Sequence, residues 1–344
     1  MLTTPYTTLE ERLPSKLSGP LIAQTDQIIS CSNYWQVPAE TEKAAFESIT
    51  RSDCSDGFCY VAIPWATIID GLATKSDVAL KILLSMQKIN RQTATDKPIR
   101  RVTVAQHIHT AKFTSLFKAL GITDVFWSHK LNGVSKIGGI NVHAFPLFPA
   151  QTPGLSPPTS IRSDRKFLAN FIGAYNPNVY LTNVRDCIFS DVDRDPDIRI
   201  IKRQSWHFDR AVYSEQMGGI SAEHAVLQEE ERNKREYLDA IRNSWFTLCP
   251  SGSGPNSIRI YESLALGSIP IIITKDLALP GDLALWRQAC IIEEDSVNGY
   301  RRAVETARAT SPAQRIRMLE SARILYDAVR PKSYANIICD ELQN

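Results

Sequence analysis

Between Phe246 and Ile273 the chain reads FTLCPSGSGPNSIRIYESLALGSIPIII, a strand, a glycine turn, a helix and a second strand in close succession. The apolar run Trp245–Leu248 ends at Cys249 and Pro250. Ser251, Gly252, Ser253 and Gly254 then form a turn without bulky side chains, which lets backbone N–H groups approach an anion. Pro255 and Asn256 mark the start of the helix, and Gly267 lies just past its end. The helix N-terminus, with Asn256 and Ser257, therefore points at the turn. Free amides and the positive end of the helix dipole both favour a phosphate there. Arg259 and Glu262 are three apart and share one helical face. Arg259 is suited to clamp a diphosphate, and Glu262 to accept hydrogen bonds from a sugar hydroxyl pair. One cation for phosphate and one carboxylate for ribose point to a nucleotide. The same pair also fits a surface ion pair contributing about 0.2–0.5 kcal/mol. The loop has no P-loop lysine and does not spell the dinucleotide fingerprint.

At 344 residues the chain is longer than one core usually supports, so two domains are expected. Hydrophobic residues at 43% and charged residues at 22% give a folded globular composition. A formal net charge of +2, with no dense basic tract, argues against nucleic acid as a partner. The seven cysteines fit reduced thiols. Cys54 and Cys59 lie close enough for a bridge or a metal pair, but no second pair follows at suitable spacing. The opening MLTTPYTTLEERLPSK is not a secretory signal, and no run approaches the roughly 20 apolar residues of a membrane span. A cytoplasmic location is expected, with peripheral membrane contact left open.

Apolar runs alternate with helical patterns in both halves, which predicts parallel sheets covered by helices. Strands are expected at Phe58–Ile63, Arg101–Ala105, Asp124–Trp127 and Asn141–Phe145, with helices at Asp77–Ile89 and Ala111–Leu120. The stretch PAQTPGLSPPTS is rich in Pro, Ser and Thr and reads as a linker. Beyond it, strands are expected at Lys166–Ile172 and Ile198–Lys202, and helices at Glu229–Asn243, Val297–Ala309 and Ala313–Val329. The expected division is a first lobe over 1–150, a linker over 151–163, a nucleotide-binding lobe over 164–312, and terminal helices over 313–344 that pack back on the first lobe.

Open parallel sheets bind ligands at the carboxyl ends of their strands, so the crevice between the lobes is the expected site. His107 and His109 follow the strand VTVAQ and are candidate bases in the first lobe. Backbone hydrogen bonding at a strand–helix junction is their alternative role. RQSWHFDRAVYSEQMGG offers Arg203, Trp206 and His207 as acceptor or lid residues and Asp209 as a further candidate base. Trp65 and Asp70 also follow a strand; Trp65 is placed to stack on a sugar or to pack in the core.

The run CPSGSGPNSIRIYESLALGSIPIIIT, followed by LPGDLALW and CIIEEDSVNGY, resembles the nucleotide-sugar half of exostosin-type glycosyltransferases. RKFLANFIGAYNPNVYLTNVRDCIF resembles the first strand of that half and the arginine-bearing helix after it. Together these cover approximately Arg165 to Ala309. The resemblance implies an α/β protein of the GT-B architecture, two Rossmann-like doubly wound lobes facing each other across a cleft. It also implies an inverting glycosyltransferase. In that pattern Arg259 contacts the donor diphosphate, Glu262 the ribose, and the Ser251–Gly254 amides the phosphate oxygens. Arg185 supplies a second phosphate contact, and Gly173 lets the donor approach the strand end. The implied donor is a nucleoside diphosphate sugar, with UDP expected, and the implied acceptor is a saccharide or glycolipid. No metal or cofactor is implied, because arginines and helix dipoles stabilise the leaving group. A bacterial, cytosolic relative in surface-polysaccharide synthesis is the expected setting. A nucleotide-sugar epimerase and a silent saccharide-binding scaffold are the alternatives; a product assay separates the first, and tolerance of Glu262→Ala the second.

Overall fold

The computed structural model describes residues 23–24, 27–31, 34–37, 39–52, 57–74, 77–92, 100–191, 195–204 and 224–343. The first lobe holds β1 (Ala23–Gln24), β2 (Ile28–Ser30), α1 (Thr41–Thr50), β3 (Phe58–Ala62), α2 (Trp65–Thr74), α3 (Asp77–Gln92) and β4 (Arg100–Ala105). A 3-10 turn (Thr110–Phe113), α4 (Thr114–Ala119), β5 (Asp124–Trp127), β6 (Lys136–Ile137) and β7 (Ile140–Ala144) complete it. The helix expected over Ala111–Leu120 thus begins as a 3-10 turn.

The second lobe runs β8 (Phe167–Ala174), α5 (Val184–Ser190), β9 (Ile198–Arg203), α6 (His224–Arg242), β10 (Ser244–Pro250), α7 (Ile258–Ala265), β11 (Ile269–Thr274), α8 (Leu283–Ala289), β12 (Ile291–Glu294) and α9 (Val297–Ala309). α10 (Pro312–Val329) and α11 (Tyr334–Gln343) follow.

Strand order explains where a ligand can enter. The first sheet is ordered β1-β2-β3-β4-β5-β7-β6, with β2, β3, β4, β5 and β7 parallel, and it keeps chain order until the last hairpin. The second is wholly parallel and ordered β12-β11-β10-β8-β9. Its order reverses between β8 and β10, and such a reversal opens a crevice at the strands' carboxyl ends. β11 is the apolar anchor of this lobe: Ile269, Ile271, Ile272 and Ile273 are all fully buried. Each contributes about 1.5–3 kcal/mol relative to an exposed side chain.

Both faces of the first sheet are covered. Val61 and Val125 pack with Trp65, Ile68 and Phe117 on one face. Tyr60, Val102 and Phe126 pack with Ala45 of α1 and with Tyr334 and Ile338 of α11 on the other. α11 therefore returns to the first lobe. α10 does not: Ala322, Leu325 and Tyr326 pack against Leu264 of α7 and Trp286 of α8 in the second lobe. The return of α11 is pinned by Asp124, whose carboxylate accepts from Arg100 at 2.8 Å and from His143 at 2.9 Å. His143 in turn meets Glu341 of α11 at 3.1 Å.

The segment between the lobes is anchored rather than free. The Phe148 amide donates to Thr41 in the first lobe at 2.9 Å, and the Leu155 carbonyl accepts from Tyr326 at 2.6 Å. Pro and Ser content signalled the change of domain but not these contacts.

Cysteine chemistry departs from expectation at one position. Among the described residues Cys31, Cys59, Cys187, Cys249 and Cys290 are not disulfide-bonded, whereas Cys339 is, so the chain is not a set of reduced thiols. No helix among the described residues is long and apolar enough to cross a membrane.

Candidate active site

The carboxyl ends of the two sheets face each other. The turn after β5 meets the residues after β11, with Leu131 paired to Leu277, the Asn132 amide donating to Asp276 at 2.7 Å, and the Ala278 amide donating to Lys130 at 2.9 Å. Nearby, Asn256 donates through Nδ2 to the Ser128 carbonyl at 2.7 Å. These contacts give the two-lobed GT-B arrangement that the sequence implied.

Arg259 and Arg185 form the floor of the second-lobe side. Arg259 projects from α7 over the Phe171 ring, 4.6 Å from its centroid, and its Nη2 donates to the Ile172 carbonyl at 2.6 Å. Its Nε and Nη1 are buried without a partner. A buried orphan donor costs on the order of 1–3 kcal/mol, and this guanidinium carries two unused donors. Arg185, from α5, is 7% exposed and donates to three carbonyls: Ser251 at 2.9 Å, Ala174 at 3.2 Å and Pro250 at 3.4 Å. It also lies 4.2 Å from the Tyr180 ring centroid. Burial, with Arg259 beside it, pushes the Arg185 pKa down to about 10. Two adjacent guanidiniums thus meet at the order reversal between β8 and β10. At Gly173 the packing is tight: a Cβ would stand 3.1 Å from Arg259 Nη2 and 3.3 Å from Phe171, so those side chains would have to give by a few tenths of an ångström.

The glycine turn is only half available. The Ser251 amide donates to the Ile273 carbonyl and the Gly252 amide to the Gly254 carbonyl, each at 3.0 Å. Among the described residues the Ser253 and Gly254 amides have no partner. The expected four-amide cradle is therefore reduced to two, because the turn uses the others to hold its own shape. Ser253 is exposed. Gly254 is buried and presses on the first lobe, where a Cβ would fall 2.5 Å from His129 Nδ1 and 2.7 Å from Ile108. Ser257 caps α7 without a side-chain hydrogen bond.

Two expected donor contacts have different work. Asn256 is an interlobe tie: besides its bond to Ser128, its backbone amide lies 3.4 Å from His129 Nδ1. Glu262 is 3% exposed, and both of its oxygens are used. Oε1 accepts the Gln151 amide at 2.7 Å, and Oε2 accepts the Tyr237 hydroxyl at 2.5 Å. Burial raises its pKa. The ribose role is replaced by a link from α7 to the interlobe segment, because the carboxylate turns inward toward α6 rather than outward. Asp295, just past β12, was not singled out in the sequence. It accepts from Thr182 at 2.8 Å, and its other oxygen is buried without a partner.

Across the crevice, the two histidines after β4 have separate fates. His107 has both ring nitrogens engaged: Nε2 meets Asp70 at 2.9 Å, and Nδ1 accepts the His109 amide at 3.0 Å. His109 is exposed, and its imidazole has no hydrogen-bond partner among the described residues. Partial desolvation, with Lys112 and His107 nearby, lowers its pKa and so favours the neutral imidazole. The turn that carries it abuts Gly254 through Ile108. His129, the third histidine at these strand ends, escaped sequence reasoning although it follows β5 as His107 follows β4. Burial lowers its pKa to about 3, which keeps it a neutral acceptor.

The remaining expectations are corrected or fall outside the description. Trp65 is fully buried, donates to Thr103 at 2.8 Å and packs edge-on against Phe117, so it cannot stack on a sugar. Arg203 ends β9 at the sheet edge and ion-pairs with Glu236 of α6. Trp206, His207 and Asp209 lie outside the described residues.

The profile of the Exostosin GT47 domain matches residues 98–305. Ribitol-5-phosphate xylosyltransferase 1 of Danio rerio is 27% identical over 125 residues, which is 36% of this chain and 24% of that protein. The Exostosin-1 homolog of Caenorhabditis elegans is 27% identical over 172 residues, 49% of this chain and 42% of that one. The chain therefore spans less than half the length of these curated relatives. Among solved structures, sucrose-phosphate synthase from Thermosynechococcus elongatus aligns at 13% identity and a TM-score of 0.42, over 76% of this chain and 71% of that one.

Proposed function

The chain belongs to the exostosin GT47 family, and from that premise we propose that it transfers a sugar from a nucleoside diphosphate donor to a saccharide or glycolipid hydroxyl. UDP is the proposed nucleotide. The observation that carries the reading is Arg259, whose Nε and Nη1 are buried and unpartnered beside Arg185 at the crevice. A diphosphate supplies the acceptor oxygens these donors lack. Relatives named as xylosyl- and glucuronosyltransferases agree with a sugar-transfer reaction.

In the proposed step His109 takes the proton of the acceptor hydroxyl. That oxygen forms the new bond to the anomeric carbon from the face opposite the donor phosphate. The old carbon–oxygen bond breaks, and its electron pair leaves with the nucleoside diphosphate. Arg259, together with the Ser253 and Gly254 amides, meets the developing negative charge, and Arg185 adds its positive field from behind. Attack from the opposite face inverts the anomeric centre. These fixed cations are assigned the charge stabilisation, so the reading needs no metal ion. A disulfide at Cys339 fits an oxidising compartment better than the cytosol expected from the sequence.

The test is transfer from a panel of UDP-, GDP- and CMP-sugars to saccharide acceptors, with and without EDTA. New glycoside from a UDP-sugar, undiminished by EDTA and lost in His109→Ala, is expected. Epimerised donor with no new glycoside, or no turnover of any donor, contradicts the reading.

A further inference from the structure

Glu42 lies in the first turn of α1 and is 3% exposed. A carboxylate so placed is tolerated only with strong hydrogen bonding. Both of its oxygens lie 3.2 Å from the Ala66 amide at the start of α2, and Oε1 lies 3.0 Å from the Gln106 amide at the end of β4. One side chain thereby joins three elements of the first lobe. Gln106 completes the ring, accepting the Glu42 amide at 3.3 Å through Oε1 and donating through Nε2 to Gln36 at 3.2 Å.

The chain of contacts continues to the histidine turn. Gln36 donates to Asp70 Oδ2 at 2.7 Å, Asp70 Oδ1 meets His107 Nε2, and His107 Nδ1 receives the His109 amide. Asp70 itself stands on α2, whose first amides Glu42 holds. Glu42 thus grips the histidine turn twice. One hold acts through the backbone immediately before His107, and the other through the helix that presents Asp70. An apolar side chain here would leave the buried Ala66 and Gln106 amides without an acceptor, and it would fix no direction.

We infer that Glu42 is a positioning residue that sets where His109 stands in the crevice. The inference rests on His109 being the proposed base. What it requires of Glu42 is an acceptor oxygen at a fixed reach from α1, not a negative charge.

Glu42→Gln and Glu42→Asp separate these requirements. Gln keeps the length and an oxygen that accepts from both amides. Asp keeps the charge but retracts it by one methylene. Two readings are taken on each full-length variant: kcat and donor KM, and the imidazole titrations by NMR, with His143 as an internal control held by Asp124 and Glu341. Glu42→Asp is expected to lower kcat about 10- to 100-fold with donor KM unchanged, the scale of a misplaced catalytic group. It also moves the His109 titration and leaves that of His143 in place. Glu42→Gln stays within about threefold of wild-type kcat, well inside the roughly 10-fold onset of misplacement effects. Wild-type titrations and kcat in Glu42→Asp, or greater loss in Gln than in Asp, overturn the inference. The titrations need no donor, so a wild-type protein without transferase activity would defeat the proposed function and still leave this arrangement measurable.

Discussion

Glu262 accepts the backbone amide of Gln151 at 2.7 Å, a bond that ties the helix after the glycine turn to the segment joining the two lobes. With Tyr237 on its other oxygen, the carboxylate braces the second lobe from behind.

Glu262→Ala should therefore act on stability first. It leaves the Gln151 amide and the Tyr237 hydroxyl buried without an acceptor, at about 1–3 kcal/mol for each orphaned group. Urea unfolding should show a lower midpoint, while the folded fraction binds UDP with little change. A fall in UDP affinity at unchanged stability would instead restore the ribose contact expected from the sequence.

What the sequence did and did not disclose divides along contact distance. The strand, glycine turn and helix of 246–265 were legible because turn chemistry and periodicity are local signals. The place of Arg259 on that helix was legible for the same reason. The partners of Glu262 and Asn256 were not, since Gln151 and Ser128 stand 111 and 128 residues away and arrive only through the packing of one lobe on the other. Trp65 was misplaced because a tryptophan after a strand reads alike whether it faces a crevice or a core. Its burial was decided by Thr103 and Phe117. Glu42 gave no signal at all, being one carboxylate in an ordinary first helical turn.

Stability should vary with pH through Glu42. Burial raises its pKa to about 8 from an ordinary 4.5. A group raised on folding stabilises fully below its unfolded value and loses that contribution as pH climbs through the folded one. Between about pH 4.5 and 8 the wild type should lose up to roughly 1.4 kcal/mol per pH unit from this group. Unfolding curves of Glu42→Gln over the same range should lack that component. Parallel pH dependence in the two proteins would refute the assignment.

The anchorage of the terminal helix α11 should weaken at both pH extremes. Asp124 has a depressed pKa: burial opposes ionisation, but hydrogen bonds from Arg100 and His143 outweigh it. Its contribution is present above the unfolded carboxylate value and fades as pH falls toward the folded one. The His143 pKa is raised, with the Asp124 and Glu341 hydrogen bonds overcoming burial. That contribution is present below about pH 6.5 and fades as pH rises through the folded value. Asp124→Asn should cost about 1.5–3 kcal/mol, as expected when charged hydrogen bonds to a buried carboxylate are lost while Arg100 remains partly exposed. Hydrogen exchange should show α11 opening first. Unaltered α11 protection in this variant would contradict the account.

The central claim is that Arg259 waits for a diphosphate, and calorimetric titration of UDP into wild-type protein and Arg259→Met at one salt concentration tests it most directly. Met keeps much of the side-chain volume while removing the buried orphan donors. Thermal stability should hold or rise, and UDP affinity should fall about 10- to 100-fold, the equivalent of one charged hydrogen bond at about 1.5–3 kcal/mol. Equal UDP affinity in the two proteins would contradict the account.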